Sequence, residues 1–418
     1  MNTIPEKAPG NYRWYLLGLS AATSTFVSAI PFSCMPVLFP QIANDLGLSL
    51  VQIGAVWGMA SLAGVFVSLA SGVISDRFGL RWVLGISCLL VGITGALRGV
   101  STSFVMLTAF VFANGVVRAV IPVTITKAIT APFRGRNLGM AQGVGAMGMG
   151  LGLMLGPLVS ATVLSPMLGG WRNVMFLYGA ISAAFAVPWF LGTRSRTHDS
   201  AAFQGRPVAL RTALPGLIRN RGIWLIALTL LFRMAGITGM TGYLPIYLVE
   251  HQGWSEASAD STLAVFYAVS TISVIPLATL SDRIGIRKAI LVTGLVVMTA
   301  SLTLISFTEG PIMWVYMVAS GLFMDSFMAI VVTMLMETEG VGIDHAGTAL
   351  GLVFTISPIG ATVAAPLGNS LARISPGLPF LFWAGLSVIA LGTIAFTKET
   401  GWRKKKSPAQ KPGGQTAQ

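Results

Sequence analysis

Long apolar stretches follow one another along almost the whole chain, and each is long enough to cross a lipid bilayer. Twelve such stretches occur between residues 14 and 397 of the 418 residues, and a hydrocarbon core of about 30 Å needs a helix of roughly 20 residues. Hydrophobic residues make up 54% of the sequence and charged residues only 10%, a balance that a soluble domain could not keep away from water. The stretches are too long for barrel strands. We therefore predict an all-α integral membrane protein with twelve transmembrane helices.

A seven-residue segment occurs twice, at corresponding places in the two halves of the chain. Residues 75–81 read SDRFGLR and residues 281–287 read SDRIGIR, 206 positions later. A tandem duplication explains both copies. The predicted organisation is an N-terminal six-helix bundle at 1–192, a basic cytoplasmic linker at 193–221, a C-terminal six-helix bundle at 222–400 and a disordered basic tail at 401–418.

Positive charges are concentrated on one side of the predicted membrane. If the N-terminus is cytoplasmic, 22 of the 27 Lys and Arg residues fall on cytoplasmic segments, two fall within spans, and Arg98, Arg172 and Arg373 fall in outside loops. This asymmetry indicates that both termini are cytoplasmic. The positive residues that produce the net charge of +13 thus lie on short segments that face anionic membrane lipid. We therefore expect no nucleic-acid partner. We expect a multi-pass monomer in a bacterial inner membrane.

The sequence contains no motif for catalysis, for a nucleotide or for a metal. A P-loop, a G-x-S-x-G elbow and zinc-type His/Cys spacing are absent. The three His residues fall in loops, and Cys34 and Cys88 fall within spans as small packing residues. We expect no cofactor and no enzymatic activity. Pumping without a nucleotide site requires an ion or solute gradient, which defines secondary transport.

The repeated segment and its surroundings resemble the major facilitator superfamily over residues 12–400. Residues 72–81, GVISDRFGLR, look like the signature loop between helices 2 and 3 of that family. Residues 132–139, PFRGRNLG, resemble its loop between helices 4 and 5, and residues 170–176, GWRNVMF, resemble the entry to its helix 6. The resemblance implies two pseudo-symmetric six-helix bundles around a central cavity. Helices 1, 4, 7 and 10 would line that cavity, and the bundles would rock between two open states.

Charged residues of the two repeated segments are candidate gating groups. An Asp at the end of a helix can accept hydrogen bonds from the free N–H groups at the start of a neighbouring helix. Adjacent arginines can hold the turn to a phosphate or a carboxylate. A purely topological role for the basic residues is the alternative. The candidate gating residues are Asp76, Arg77, Arg81, Asp282, Arg283 and Arg287.

Three charged residues fall near the middle of predicted spans: Arg118 in the fourth, Arg233 in the seventh and Asp325 in the tenth. Charges at this depth are costly and usually functional. Two guanidinium groups favour an anionic solute, and the carboxylate is the candidate proton carrier. The alternative is a structural ion pair between the aspartate and one arginine.

Further polar residues of the spans could donate hydrogen bonds to a solute. Asn114 lies one helical turn before Arg118, and the other candidates are Gln142, Tyr243 and Tyr267. The aromatic residues Phe26, Phe32 and Trp57 are assigned to packing.

These features together predict a secondary transporter of a small anionic solute, in the first instance a carboxylate, with proton symport. The alternative is a proton-coupled exporter of drugs or other amphipathic compounds. Gly143, Gly152, Gly156 and Pro157 follow the fifth-helix pattern of antiporters of this superfamily, but Ser160 and Ala161 stand where the pattern ends in two glycines. Helix packing alone explains the same glycines. A membrane sensor is a third possibility, disfavoured because no signalling domain is appended.

Overall fold

The computed structural model describes residues 10–130, 132–133, 137–193 and 216–401. Within these residues, twelve helices are long and apolar enough to cross a membrane, which confirms the predicted number. Most of the predicted linker and all but one residue of the predicted tail lie outside the described residues. The proposed domain boundaries therefore stay predictions.

The first six helices make up the N-terminal half, and several of them contain more than one helical segment. Their bounds are α1 (Gly10–Thr23, a π-helical segment Ser24–Ala29, and Ile30–Leu46), α2 (Leu50–Phe78), α3 (Leu80–Leu97), α4 (Phe104–Arg118 and Val120–Thr130), α5 (Leu138–Val159, then a π-helical Ser160–Leu164 and Ser165–Leu168) and α6 (Trp171–Ala184 and Ala186–Gly192).

The last six helices make up the C-terminal half. Their bounds are α7 (Arg221–Glu250), α8 (Glu256–Ile284), α9 (Arg287–Ile305), α10 (Met313–Leu322 and Met324–Glu337), α11 (Gly342–Leu371) and α12 (Leu378–Ala395). Because successive helices run antiparallel, Gly10 and Gly401 lie at the same end of the bundle. We call this end the termini face and the other end the opposite face.

Side chains that precede the helices help to fix where they begin. Ser49 accepts a hydrogen bond from the N–H of Gln52 (3.3 Å), and the Gln52 side chain accepts one from the N–H of Ser49 (2.9 Å), which forms a capping box at the start of α2. Ser103 and Ser255 cap α4 and α8 in the same way with one bond each. Gly47, with φ of 62°, ends α1 in the left-handed conformation.

Buried apolar side chains form three clusters, which show how the two halves meet. One cluster contains residues of both halves, such as Phe39 at the end of α1 and Phe380 at the start of α12. A second is confined to the N-terminal half and includes Leu84, and a third is confined to the C-terminal half and includes Leu335. The shared core lies toward the opposite face and the separate cores toward the termini face. The halves therefore meet toward the opposite face and diverge toward the termini face.

Hydrogen bonds between the halves agree with this arrangement. Three of them join α2 to α7 or α11, and all three lie in the part of α2 nearest the opposite face. They run from Trp57 Nε1 to Thr238 O (2.8 Å), from Thr362 Oγ1 to Gly58 O (3.1 Å) and from Asn369 Nδ2 to Leu50 O (2.8 Å).

The glycines of α5 pack directly against α1. Thr25 of the π-helical segment donates to Gly148 O (2.7 Å), and Ser33 donates to Gly152 O (3.2 Å). A Cβ atom at Gly152 would lie 2.7 Å from the Thr25 carbonyl oxygen, so a side chain there would separate the two helices. Gly143 has no such neighbour within 4 Å. Close packing thus accounts for part of the glycine pattern.

Candidate functional site

The helices α4 and α10 occupy corresponding places in the two halves, and both are interrupted next to a charged residue of the predicted site. α4 is interrupted at Ala119, directly after Arg118. Pro122 has no N–H, so the carbonyl group of Arg118 loses its usual helical partner. α10 is interrupted at Phe323, two residues before Asp325. Interruptions at membrane depth expose backbone groups that side chains or ligands can bind.

Arg118 lies against an aromatic ring, and its hydrogen-bond donors have no partner among the described residues. Its guanidinium carbon is 4.2 Å from the centroid of the Phe32 ring of α1, a favourable cation–π distance. No described residue forms a hydrogen bond or an ion pair with this side chain, which is partly exposed. Phe32 stacks on Trp57 at 4.8 Å, and Trp57 donates to Thr238 of α7. The sequence analysis assigned Phe32 to packing. In the structure its ring also contacts the guanidinium group of Arg118 and, through Trp57, connects that group with α7 of the other half.

Arg233 is bonded to the interruption of α10. Its side chain is only 2% exposed, and its Nη2 atom donates to the carbonyl oxygens of Phe323 (3.3 Å) and Met324 (2.7 Å). The guanidinium carbon also lies 4.2 Å from the ring centroid of Phe327. Arg233 thus connects α7 to the interruption of α10 by hydrogen bonds.

A small cavity among α7, α8, α9 and α10 is lined in part by Arg233. Ser320 also lines this cavity, and the atoms Arg233 Nη1 and Ser320 Oγ are buried without a hydrogen-bond partner among the described residues. Buried polar atoms of this kind are commonly bridged by an ordered water molecule.

Asp325 is held by a serine of α8. The hydroxyl of Ser270 donates to Asp325 Oδ2 (2.6 Å) and accepts from the N–H of Asp325 (3.1 Å). Electrostatic interactions also connect Asp325 with Arg233 and with Tyr267. Among the described ion pairs, which extend to a distance of 4.0 Å, none includes Asp325. The structural ion pair considered from the sequence is therefore not formed in this structure.

The other predicted solute ligands have protein partners in the structure, and their role in binding stays a prediction. Tyr267 is buried one helical turn before Ser270. The remaining three donate to backbone or hydroxyl groups: Asn114 Nδ2 to Val91 O and Thr94 Oγ1 (both 3.1 Å), Gln142 Nε2 to Thr126 O (3.3 Å) and Thr130 Oγ1 (2.9 Å), and Tyr243 OH to Pro376 O (3.1 Å).

Arg98 is a buried cation that the sequence places in an outside loop. It is 2% exposed, and it donates to the carbonyl oxygens of Gly95 (3.2 Å) and Pro31 (3.0 Å). Its charge interacts electrostatically with that of Arg118. No described carboxylate forms an ion pair with either arginine, so this part of the N-terminal half carries an excess of positive charge.

The second repeated segment forms a polar network at the termini face. Arg287 pairs with Asp282 of the same segment and with Glu337 at the end of α10, the latter at 3.0 Å. Glu399, after α12, accepts from the N–H groups of Arg287 (2.8 Å) and Lys288 (3.0 Å). The carboxylate that accepts hydrogen bonds from the first N–H groups of α9 is therefore that of Glu399 and not that of Asp282. Arg283 is exposed.

The first repeated segment has fewer described contacts. Arg77 and Arg81 lie over the rings that follow them in sequence, Phe78 at 5.5 Å and Trp82 at 5.6 Å. The side chain of Asp76 lies outside the described residues, as do residues 134–136 of the loop between α4 and α5. A gating role of either segment stays a prediction.

The fold and the arrangement of charges agree with a comparison against known families. The family model described as Major Facilitator Superfamily matches residues 21–338 and 248–417. The chain belongs to the Major Facilitator Superfamily. It is a multi-pass membrane transporter and not an enzyme.

Curated relatives of this superfamily member are named as transporters of different solutes. A nitrite extrusion protein of Bacillus subtilis is 26% identical over 56% of this chain and 57% of its own length. A probable nitrate/nitrite antiporter, NarK1 of Thermus thermophilus, is 26% identical over 71% of this chain and 67% of its own. A probable sulfoacetate transporter, SauU of Cupriavidus necator, is 23% identical over 93% and 94%. The match thus spans little more than half of the Bacillus protein.

Solved structures of the superfamily show the same fold. A bacterial homolog of the human lysosomal transporter Spinster, in an inward-facing and occupied conformation, has a TM-score of 0.79 at 17% identity and covers 96% of this chain and 100% of its own. The nucleoside transporter NupG has a TM-score of 0.74 at 17% identity, with coverages of 92% and 98%. At these identities the likeness concerns the fold alone.

Proposed function

We propose that this superfamily member transports a small anionic solute, in the first instance a carboxylate, and couples its movement to protons in symport. The observation that carries the proposal is that Arg118 and Arg233 lie at the interrupted helices without a described carboxylate in ion-pair distance. A guanidinium group presents paired N–H donors that match two oxygens of one oxyanion. A solute with one negative charge would balance the excess charge of Arg118, Arg233 and Asp325.

The relatives support an anionic solute. Nitrite, nitrate and sulfoacetate, which occur in the names of the three relatives, all carry negatively charged oxygens. They share with carboxylates the geometry that a guanidinium fork recognises. The drug-export alternative receives less support, because Gly152 and Gly156, two of the three glycines of α5 that favour it, have packing contacts with α1.

The arrangement of the halves supports alternating access. The halves share a core toward the opposite face and have separate cores toward the termini face. A solute could therefore reach Arg118 from the termini face while the opposite face is closed. Rocking of one half against the other would reverse the two openings.

Uptake into proteoliposomes tests the proposal. The purified protein is reconstituted, a pH gradient is imposed, and accumulation of labelled carboxylates, nitrate and a cationic dye is measured. We expect accumulation of at least one anion that collapses when a protonophore removes the gradient. Transport of the cationic dye without transport of any anion would instead establish the export alternative. Anion exchange that is indifferent to the pH gradient would exclude the proton coupling.

Replacement of Asp325 by Asn is expected to separate anion movement from proton movement. The amide retains the shape of the carboxyl group but cannot take up or release a proton. We expect the variant to exchange labelled anion for unlabelled anion across the membrane and to lose accumulation driven by the pH gradient. Glu309, in the loop before α10, provides the control, and Glu309→Gln should keep both activities. An Asp325→Asn protein that still accumulates anion with the gradient would exclude Asp325 as the proton carrier.

A further inference from the structure

Four consecutive residues at the interruption of α10 have backbone groups bonded to side chains of α7 and α8. Interrupted helices expose such groups, and a buried interruption needs partners for them. Side chains of α7 and α8 provide four such bonds among the described residues. The bonds are those of Leu322 O with Ser273 Oγ (2.7 Å), Phe323 O and Met324 O with Arg233 Nη2 (3.3 and 2.7 Å), and the Asp325 N–H with Ser270 Oγ (3.1 Å).

Ser270 differs from the other two partners because it also touches a titratable group. Its hydroxyl is fully buried and donates to Oδ2 of Asp325 while it accepts from the N–H of the same residue. Ser273 lies one turn later on α8 and bonds only backbone carbonyl groups. One hydroxyl group therefore connects the carboxylate of Asp325 with the backbone at the interruption.

We propose that Ser270 is the positioning residue through which protonation of Asp325 acts on the interruption of α10. An ionised carboxylate only accepts hydrogen bonds, so the Ser270 hydroxyl must donate to it. When Oδ2 takes up a proton, that oxygen becomes a donor, and the hydroxyl of Ser270 has to turn its own hydrogen away. The same hydroxyl then receives two donors, the carboxyl O–H and the N–H of Asp325. Protonation thus changes the bond that holds the first turn of the second α10 segment.

Among the described groups around Asp325, the Ser270 hydroxyl is the one that forms a hydrogen bond with its carboxylate. Arg233 of α7 and Tyr267 of α8 interact with Asp325 electrostatically. The charged residues of α9 are Arg287 and Lys288 in its first turn, and the titratable residues of α11 lie near its start. Both helices begin at the termini face, so these charged and titratable residues lie at that face. The transport role of Ser270 rests on the proposed function, whereas its effect on Asp325 can be measured without any solute.

The pH dependence of thermal unfolding, measured on the purified full-length protein, tests the inference. The difference between wild type and Asp325→Asn isolates the part of that dependence that belongs to Asp325. We expect Ser270→Ala to move the midpoint of this part away from the wild-type value, because the hydroxyl group that contacts the Asp325 carboxylate is lost. Ser270→Thr keeps the hydroxyl and should keep the wild-type midpoint.

Ser273→Ala is the matched control, because it removes a bond between α8 and α10 that does not reach the carboxylate. We expect it to lower the unfolding temperature without moving the midpoint. A double variant with Asp325→Asn should show no further pH effect of Ser270→Ala. Equal midpoints for wild type and Ser270→Ala, or equal shifts in Ser270→Ala and Ser273→Ala, would overturn the inference. Absence of proton-coupled uptake by the wild type would overturn the proposed function instead, and the unfolding measurements would still decide the role of Ser270.

Discussion

Replacement of Arg118 by Ala is expected to weaken anion binding about 100-fold while the protein keeps its fold. The guanidinium group has no described hydrogen-bond or ion-pair partner, and its one described contact is with the Phe32 ring at 4.2 Å. Its donors are thus available to a solute, and a bidentate contact provides two charge-assisted hydrogen bonds of roughly 1.5–3 kcal/mol each. The lower limit for the loss of both bonds, about 3 kcal/mol at 1.4 kcal/mol for each factor of ten, gives the expected effect. Equilibrium binding of a labelled anion to the purified protein measures it.

Three further variants make this test specific. Arg118→Lys keeps the charge without the planar fork, so binding should weaken less than in Arg118→Ala. Arg373→Ala removes an exposed arginine at the opposite face and should bind as wild type does. Arg233→Ala should lower both anion binding and the unfolding temperature, because Arg233 also bonds Phe323 and Met324. Unchanged affinity in Arg118→Ala would remove this residue from the binding site.

Replacement of Gly58 by Val is expected to force the two halves apart at the opposite face. A Cβ atom at this position would lie 2.6 Å from the carbonyl oxygen and 2.9 Å from the Cα atom of Thr362 on α11. These are backbone atoms, so no side-chain rotation relieves the overlap. Overpacking costs about 1–3 kcal/mol, enough to shift a two-state equilibrium roughly fivefold to a hundredfold. The conformation that closes the opposite face should therefore become a minor one.

Spin-label distances measure this shift. Labels at Asn44→Cys, in the last turn of α1, and Ile374→Cys, after α11, both lie at exposed positions of the opposite face, in a background in which Cys34 and Cys88 are replaced by Ala. We expect a longer distance in Gly58→Val than in the parent protein. Gly64→Val introduces the same side chain on α2 at a position with nothing within 4 Å, and it should keep the parent distance. A parent-like distance in Gly58→Val would show that the contact with Thr362 does not close this face.

The helices could be predicted from the sequence because the bilayer imposes a simple requirement. Each span needs about 20 apolar residues, and that pattern is local, so all twelve helices appeared in the hydropathy of the sequence and in the structure. The interruption of α4 also has a local signal in Pro122. The interruption of α10 has no proline, and its stabilisation depends on Ser270, Ser273 and Arg233, which lie 49 or more positions away in the chain. Contacts of that kind depend on tertiary packing.

The charged residues of the site could be selected from the sequence, but their partners could not. Arg118, Arg233 and Asp325 stand out because ionisable residues are rare within spans. The two rings beneath the arginines, Phe32 and Phe327, do not stand out, because phenylalanine is common in transmembrane helices. Arg98 was misplaced because it follows the apolar part of α3, where hydropathy cannot distinguish a loop from a buried helix end. Burial of its side chain against Pro31 depends on the approach of α1.

The two pairs of arginine and phenylalanine have a consequence for the history of the chain. Arg118 of α4 lies on Phe32 of α1, whereas Arg233 of α7 lies on Phe327 of α10. Since α7 corresponds to α1 and α10 to α4, the arginine comes from the fourth helix of the first half but from the first helix of the second half. The repeat of 206 positions carries Phe32 onto Thr238 and Arg118 onto Met324. The repeat therefore does not carry the pair of one half onto the pair of the other. The ancestral half-length protein need not have bound the solute that the present chain binds.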